Sequence, residues 1–265
     1  MKPLVYLAFI VSFIVSFTTS PLKGILKKNF AKVSETLYVS KFEVTNKDYL
    51  EYLQDLKQKG DAAEYELRLP DTSSWLKIDP DFKAFVNHYL RHSAYSNYPV
   101  VGVSYESAMA YCKWYEEKIN ASSANQQFRC RLLNIEEWMN AATGGDRTRT
   151  YPWGTGFIQN NRKDYLCNFK HTNFIYDSVT RKYTEIDIPE TEGVKKATAP
   201  VNAYYPNSFG LYNMSGNVAE MTQEKGVAKG GGFKDPAYLV QVKPEKIYKS
   251  PQADIGFRIA LELIQ

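Results

Sequence analysis

Clear helical and strand periodicity ends near Gly144 and Gly145 in this chain of 265 residues, and that loss of pattern strongly constrains the fold. Beyond this point glycine, proline, asparagine and aromatic residues dominate, most densely at 199–221. Such residues form turns and irregular loops rather than long helices or strands. The C-terminal half is therefore predicted to be loop-rich, with short strands at 227–233 and 255–261.

The N-terminal half has clearer periodicity. Residues 38–44 alternate apolar and polar side chains and predict a strand, after which Thr45 is placed to cap a helix. The apolar run 99–103 predicts a second strand, and Ser104 then caps a second helix. Asn134 and the glutamate three residues later form the capping-box pattern of a third helix. Three helices are thus expected before the loop-rich half.

The first twenty residues carry one charge, at Lys2, and a mostly apolar run that ends in small polar residues, which is typical of a secretory signal peptide. Residues 1–20 are interpreted as a cleaved signal peptide or as a retained N-terminal anchor that would give membrane association. Residues 21–37 then lead into one globular domain at 38–265. The protein is accordingly expected to be exported and to be periplasmic or associated with the cell envelope.

Composition narrows the function classes. With 44% hydrophobic residues the chain has enough apolar surface for one core, and a net charge of +4 spread along it argues against a nucleic-acid partner. Three cysteines leave at least one thiol free. Cys112 lies on the apolar face of its helix and is expected to be a core residue. Cys130 and Cys167 either form a disulfide or stay as thiols.

No catalytic residue is apparent from the side chains alone. His88 and His92 are four residues apart, as two metal ligands on a helix can be, but no third ligand accompanies them. They are expected to be exposed polar residues. No serine has a histidine partner in a recognisable nucleophile motif.

Five motifs follow one another in a characteristic order. They are EVTN at 43–46, PVVGVSYE at 99–106, RLLNIEEW at 131–138, GLYNMSGNVAE at 210–220 and GFRIA at 256–260. Together they resemble the formylglycine-generating enzyme family, also called the sulfatase-modifying factor family, over about 39–261. The resemblance implies the α+β formylglycine-generating-enzyme fold, which is related to C-type lectin folds and low in regular secondary structure.

The resemblance also implies structural calcium. A hard cation collects the carboxylate, amide and carbonyl oxygens that irregular backbone leaves without partners. The implied ligands are Asn217, the Val218 carbonyl and Glu220 at one site, and Asn168, the Phe169 carbonyl, Glu192 and the Val194 carbonyl at the other. The alternative for the first set is a turn in which Asn217 and Glu220 bond only to backbone.

The family's chemistry is not expected here. In the enzymes of that family, two cysteines just beyond the glycine-rich strand bind copper(I) as thiolates, and a substrate cysteine is oxidised there with oxygen. Alignment on residues 229–233 places Asp235 and Val240 at those positions, and copper(I) prefers soft thiolates. Copper is therefore not expected. The disulfide partner of Cys112 in related proteins would fall near Ile259, so no disulfide is expected there.

The leading hypothesis is an exported, non-catalytic member that acts as a structural or binding component of a cell-envelope assembly. Similar domains without the cysteine pair occur in bacterial gliding-motility and type IX secretion lipoproteins, which is an analogy of fold. Envelope proteins are the expected partners, and the lysine-rich segment 225–249 is either a partner face or a solvated loop. The alternatives are a diverged oxidase that modifies a protein cysteine and a lectin-like glycan binder.

Overall fold

The computed structural model describes residues 21–123, 125–187 and 197–264. Within these ranges the α-helices, α1–α6 in chain order, are Pro21–Asn29, Asn46–Gln58, Ala62–Arg68, Lys83–His88, Tyr105–Ala121 and Ile135–Thr143. The strands β1–β10 are Phe30–Lys32, Leu37–Ser40, Phe128–Arg131, Thr172–Asp177, Lys182–Asp187, Ala219–Met221, Val227–Lys229, Glu245–Ile247, Ile255–Gly256 and Ala260–Leu263. Helices and short strands joined by long loops confirm the predicted α+β class.

The described strands form two four-stranded sheets and a hairpin. The first sheet has the order β1-β2-β10-β3 and is antiparallel throughout. The second sheet has the order β8-β7-β6-β9, in which β6 and β9 are parallel. The separate hairpin consists of β4 and β5. Only residues 257–259 separate β9 from β10, so this short connection joins the two four-stranded sheets and places Arg258 between them.

The predicted helix starts are confirmed. The Thr45 hydroxyl accepts the Asp48 N–H at 3.1 Å, while the Asp48 carboxylate accepts the Thr45 N–H at 3.2 Å, which completes a capping box. Asn134 and Glu137 repeat this arrangement at the start of α6. Ser104 caps α5. Local side-chain chemistry thus determines where these three helices begin.

All four strand predictions need correction. The strand predicted at 227–233 ends at Lys229, and the one predicted at 255–261 is interrupted at 257–259, between β9 and β10. The strand at 38–44 ends at Ser40, and 99–103 is not a strand, because its backbone groups bond to loops instead of to a continuous ladder. Val100 N–H donates to the Val44 carbonyl, and the Gly102 carbonyl accepts from Asp71 N–H. The hairpin of β4 and β5 was not predicted, since its residues lie in the half without clear periodicity.

The largest apolar cluster lies between α2 and α5. Tyr49 and Tyr52 from α2 meet Tyr111 and Trp114 from α5, with ring centroids 5.3–5.8 Å apart. Phe257 adds its ring from the connection between the sheets, 5.4 Å from Tyr111. These contacts include stacked, tilted and edge-on ring pairs, which favour tight packing. The core thereby anchors the connection that carries Arg258.

The described part of the chain contains no helix that combines the length and the apolar character needed to cross a membrane. The interpretation of residues 1–20 as a signal peptide or an anchor falls outside the described residues. The first sheet starts at Phe30, within the segment 21–37 that the sequence placed before the domain.

Candidate functional site

Arg258 is the centre of a buried charge network. Its side chain is 1% exposed, and its guanidinium donates to both Glu220 oxygens at N–O distances of 2.6, 3.0 and 3.1 Å. It also donates to the backbone carbonyls of Ser40 at 2.8 Å and Tyr212 at 2.7 Å. The Trp138 indole N–H donates to Glu220 Oε2 at 2.8 Å. Both carboxylate oxygens of Glu220 are therefore bonded to protein donors.

Glu43 is the second buried carboxylate of this network. Its Oε2 lies 3.9 Å from Arg258 Nη2, and its Oε1 accepts from Asn217 Nδ2 at 2.8 Å and from Asn213 Nδ2 at 3.2 Å. The Asn217 Oδ1 accepts the Ala199 N–H at 2.7 Å. Asn213 and Asn217 have φ values of 52° and 67°, a conformation that asparagine tolerates better than most residues. The motif at 210–220 thereby brings both amides to Glu43.

The side chains predicted to bind calcium at 216–220 are bonded to protein groups in this arrangement. Both Glu220 oxygens contact Arg258, and the Asn217 amide oxygen accepts a backbone N–H. A calcium ion needs these oxygens and would lie beside a fixed cation that repels it. The residues therefore do not fit calcium while Arg258 is in place. The site of Asn217, Val218 and Glu220 stays a prediction for a metal-binding measurement to test.

The other predicted calcium set is only partly described. Asn168 is buried, and its side-chain amide donates to the Ala197 backbone carbonyl at 2.8 Å. The backbone carbonyl of Asn168 accepts the Asn217 N–H at 2.7 Å. Phe169 is also buried. Glu192 and Val194 lie outside the described residues, so this site also stays a prediction. Among the residues that the structure describes, no group of three or more His, Cys, Asp or Glu side chains is arranged to hold a metal.

Burial raises the pKa of the Glu43 carboxyl to about 7. The guanidinium of Arg258 and the amide of Asn217 oppose this rise in pKa, whereas the nearby Glu220 carboxylate adds to it. Removal from water disfavours the charged form of a carboxyl group. Because the effect of burial is the larger, the Glu43 carboxyl is expected to take up a proton near neutral pH.

Asp235 and Val240 stand where the resemblance places the two cysteines of the family's enzymes. Asp235 Oδ2 accepts from the Lys246 ammonium at 2.5 Å and from the Gly232 N–H at 2.7 Å. Lys246 also donates to Asp254 Oδ2. Asp254 is fully buried and Asp235 is 7% exposed. Asp235, Lys246 and Asp254 thus form a lysine–aspartate cluster at this position.

The second position is apolar. Val240 is fully buried in a cluster with Tyr151, Cys167 and Phe169. A Cβ atom on Gly231 would lie 2.9 Å from Val240 Cγ1, so the glycine segment that follows β7 packs directly on the loop that carries Val240. The two positions assigned to cysteines by the resemblance therefore carry an ion cluster at Asp235 and a packed aliphatic side chain at Val240.

These residues do not fit copper(I). The ion takes soft sulfur ligands, whereas Asp235 supplies a hard carboxylate already bonded to an ammonium, and Val240 supplies no donor atom. Cys167 lies near Val240, but burial raises the pKa of its thiol well above the ordinary value, so it stays protonated. The described side chains at this position therefore provide no thiolate pair.

The cysteine and histidine predictions are largely confirmed. Cys112 is a buried core residue, and Cys130 and Cys167 are free, so the disulfide alternative for that pair is wrong. The thiols of Cys112 and Cys130 come together instead, where α5 packs on β3. His88 and His92 are exposed, with ring centroids 6.2 Å apart.

The lysine-rich segment 225–249 is neither a uniform partner face nor a solvated loop. Lys229 is fully buried, donates to the Lys243 carbonyl at 2.6 Å and lies 5.8 Å from the Trp138 ring centroid. Lys246 belongs to the lysine–aspartate cluster. Lys225 pairs with Glu106 at the surface. Several of these charges thus serve the fold rather than a binding face.

Three important residues were not predicted from the sequence as site residues: Glu43, Lys246 and Arg258. Glu43 and Arg258 lie inside the motifs at 43–46 and 256–260, each among apolar neighbours. A charge flanked by buried apolar positions is a signal for a buried ion pair, and it could have identified both. Lys246 gave no such signal because other lysines surround it in the sequence.

Comparison with known proteins agrees with the motifs. A family model described as Sulfatase-modifying factor enzyme 1-like domain matches residues 28–263. A formylglycine-generating enzyme of Thermomonospora curvata is 36% identical over 125 residues, 47% of this chain and 32% of that protein. An inactive C-alpha-formylglycine-generating enzyme 2 of Bos taurus is 28% identical over 247 residues, 82% of this chain and 69% of that protein. The chain thus spans about a third of the length of the bacterial enzyme.

Solved structures show the same fold at low sequence identity. PvdO from Pseudomonas aeruginosa superposes with a TM-score of 0.53 and 19% identity, over 86% of this chain and 80% of that chain. CarF superposes with a TM-score of 0.51 and 18% identity, over 86% of this chain and 87% of that chain. The predicted fold is confirmed by these superpositions together with the family model.

Arg258→Met is expected to lower the free energy of unfolding by about 3–5 kcal/mol, because it leaves the buried Glu220 carboxylate without its cation. Adding Glu220→Gln to Arg258→Met is expected to restore part of this loss, since the uncompensated charge is then removed. Urea unfolding followed by tryptophan fluorescence measures both. A loss below about 1 kcal/mol, the range of exposed ion pairs, would contradict a structural role for the network.

Glu43→Gln is expected to flatten the dependence of stability on pH. The pKa of Glu43 in the folded protein, about 7, is above the ordinary glutamate value, so its contribution is fully present at low pH and is lost as pH rises through 7. Between pH 4 and pH 8, the free energy of unfolding of the natural protein should fall by roughly 2–3 kcal/mol more than that of Glu43→Gln. Parallel curves for the two proteins would show that Glu43 does not titrate in this range.

Proposed function

The chain belongs to the sulfatase-modifying factor enzyme 1-like domain family, and we propose that it is a non-catalytic member. Its proposed role is that of an exported structural or binding component of a cell-envelope assembly. The observation that carries the non-catalytic part is the lysine–aspartate cluster together with Val240, at the place where the enzymes hold two thiols.

The cluster supports this proposal because of its charge state. An ammonium between two carboxylates is stabilised as an ion, and its protons are directed at the aspartate oxygens. Such a group offers neither a soft ligand for copper nor a sulfur that can exchange with a substrate cysteine. The reaction of the enzymes has no counterpart among these side chains.

The relatives include both active and inactive proteins by name. The match to the bacterial formylglycine-generating enzyme covers about half of this chain, whereas the match to the inactive bovine protein covers 82% of it. Family membership by itself therefore allows either activity. The identities of residues 235 and 240 support the inactive class.

The envelope role rests on sequence. The apolar residues 1–20 support export, and the resemblance to gliding-motility and type IX secretion domains supports a place in an envelope assembly of that kind. Fractionation of the native cells, with detection of the protein by antibody, tests this part. Recovery in the envelope or periplasmic fraction is expected, and recovery only in the cytosol would contradict it.

A peptide oxidation assay tests the non-catalytic part. The purified protein is incubated aerobically with copper(I) and a cysteine-containing sulfatase-type peptide, and the peptide mass is followed. We expect no oxygen-dependent conversion of the cysteine to formylglycine, because the chain lacks the thiolate pair. An active formylglycine-generating enzyme serves as the positive control. Conversion above that of a heat-inactivated sample would overturn the proposal.

A further inference from the structure

A surface cavity of about 580 Å³ lies between two loops, residues 160–166 and 203–205. Three tyrosines contribute to its lining, Tyr165, Tyr204 and Tyr205, and polar groups come from Asn161, Arg162 and Asp164. This cavity is called the tyrosine pocket. It is separate from the buried charge networks, whose residues do not line it.

One wall of the tyrosine pocket is held in place by its own hydrogen bonds. Asn160 Oδ1 accepts the N–H groups of Arg162 at 2.8 Å and Asp164 at 3.0 Å, and Asn160 Nδ2 donates to Asp164 Oδ2 at 3.0 Å. Gln159 and Tyr165 close the loop through an isolated β-bridge. The loop is therefore preorganised, which lowers the entropic cost of binding a ligand.

The aromatic walls are also supported. The Tyr165 ring lies 3.8 Å from the His171 ring and 5.3 Å from the Phe169 ring, measured between centroids. Tyr204 is half-buried, and burial raises the pKa of its hydroxyl to about 12, so it remains a hydrogen-bond donor at neutral pH. Tyr205 is 86% exposed and leaves a face of its ring open to solvent.

We propose that the tyrosine pocket binds a neutral oligosaccharide. This inference rests on the proposed function, because it names the ligand class of a binding component. Sugar rings present C–H groups that pack on aromatic faces and hydroxyl groups that both donate and accept hydrogen bonds. Tyrosine rings supply the faces, and the side chains of Asn161, Arg162 and Asp164 supply donors and acceptors of both kinds.

The charge of the lining favours a neutral ligand over an anionic one. Arg162 is opposed by Asp164, so the two charged side chains of the pocket sum to zero. A phosphate or carboxylate ligand is typically held by several donors without a competing carboxylate. A fully apolar ligand would displace water from the exposed amide, carboxylate and guanidinium groups of the lining without replacing its hydrogen bonds. A neutral ligand with many hydroxyl groups is not repelled by the Asp164 carboxylate, and its hydroxyl groups can bond to the polar groups of the lining.

Isothermal titration calorimetry of the full chain tests this proposal, with chitotriose, cellotriose and maltotriose as probes. At least one trisaccharide is expected to bind with a Kd below about 1 mM. Tyr205→Ala is expected to weaken that binding at least about tenfold by removing the exposed ring, whereas Tyr205→Phe, which keeps the ring, retains it. Tyr238→Ala removes a tyrosine of 61% exposure outside the lining and serves as the matched control.

Two results would overturn the inference. One is the absence of binding by all three trisaccharides, and the other is binding that Tyr205→Ala and Asn161→Ala leave unchanged. The peptide oxidation assay separates this inference from the proposed function. An inert protein that binds no sugar refutes the inference alone, while a protein that binds sugar and also oxidises the peptide refutes the non-catalytic proposal alone.

Discussion

The buried pairing of Arg258 with Glu220 is the interaction on which the rest of the structure depends. It joins the connection between the two sheets to β6, and its remaining N–H groups reach the backbone at Ser40 and Tyr212. A buried charge is costly unless it is fully paired. Arg258 and Glu220 are far apart in sequence, so their charges are paired only after β6 and the connection between the sheets have come together. The pair thereby favours one arrangement of the loop-rich C-terminal half.

Backbone hydrogen bonds link the loop that carries Asn217 to the glycine segment 230–233, which follows β7. Asn217 carbonyl accepts the Phe233 N–H at 2.9 Å, and Gly216 N–H donates to the Gly230 carbonyl at 2.8 Å. The Asp235 carboxylate also accepts the Gly232 N–H at 2.7 Å, so backbone bonds and this side chain together hold the segment that carries residue 235. The chain carries the motifs of its family together with a lysine–aspartate cluster and a valine where the resemblance places two thiols, and this combination underlies the proposed function.

Local features were predictable from sequence, and distant charge pairs were not. Thr45, Ser104 and Asn134 were identified as helix caps because a cap depends on residues three positions away. The run 99–103 looked like a strand, but its backbone is bonded to loops whose positions the sequence does not reveal. Glu220 was predicted as a calcium ligand because its motif resembles the second calcium site of the family. Its partner Arg258 is 38 residues away and depends on the packing of both sheets.

The central claim is that Arg258 neutralises the buried Glu220 carboxylate inside this scaffold. A high-resolution crystal structure of the protein grown with millimolar calcium chloride tests it most directly. The account predicts planar guanidinium density on Glu220, with N–O distances near those found here, 2.6–3.1 Å. Spherical density with an anomalous signal about 2.3–2.6 Å from the Glu220 oxygens, and Arg258 displaced from them, would contradict it.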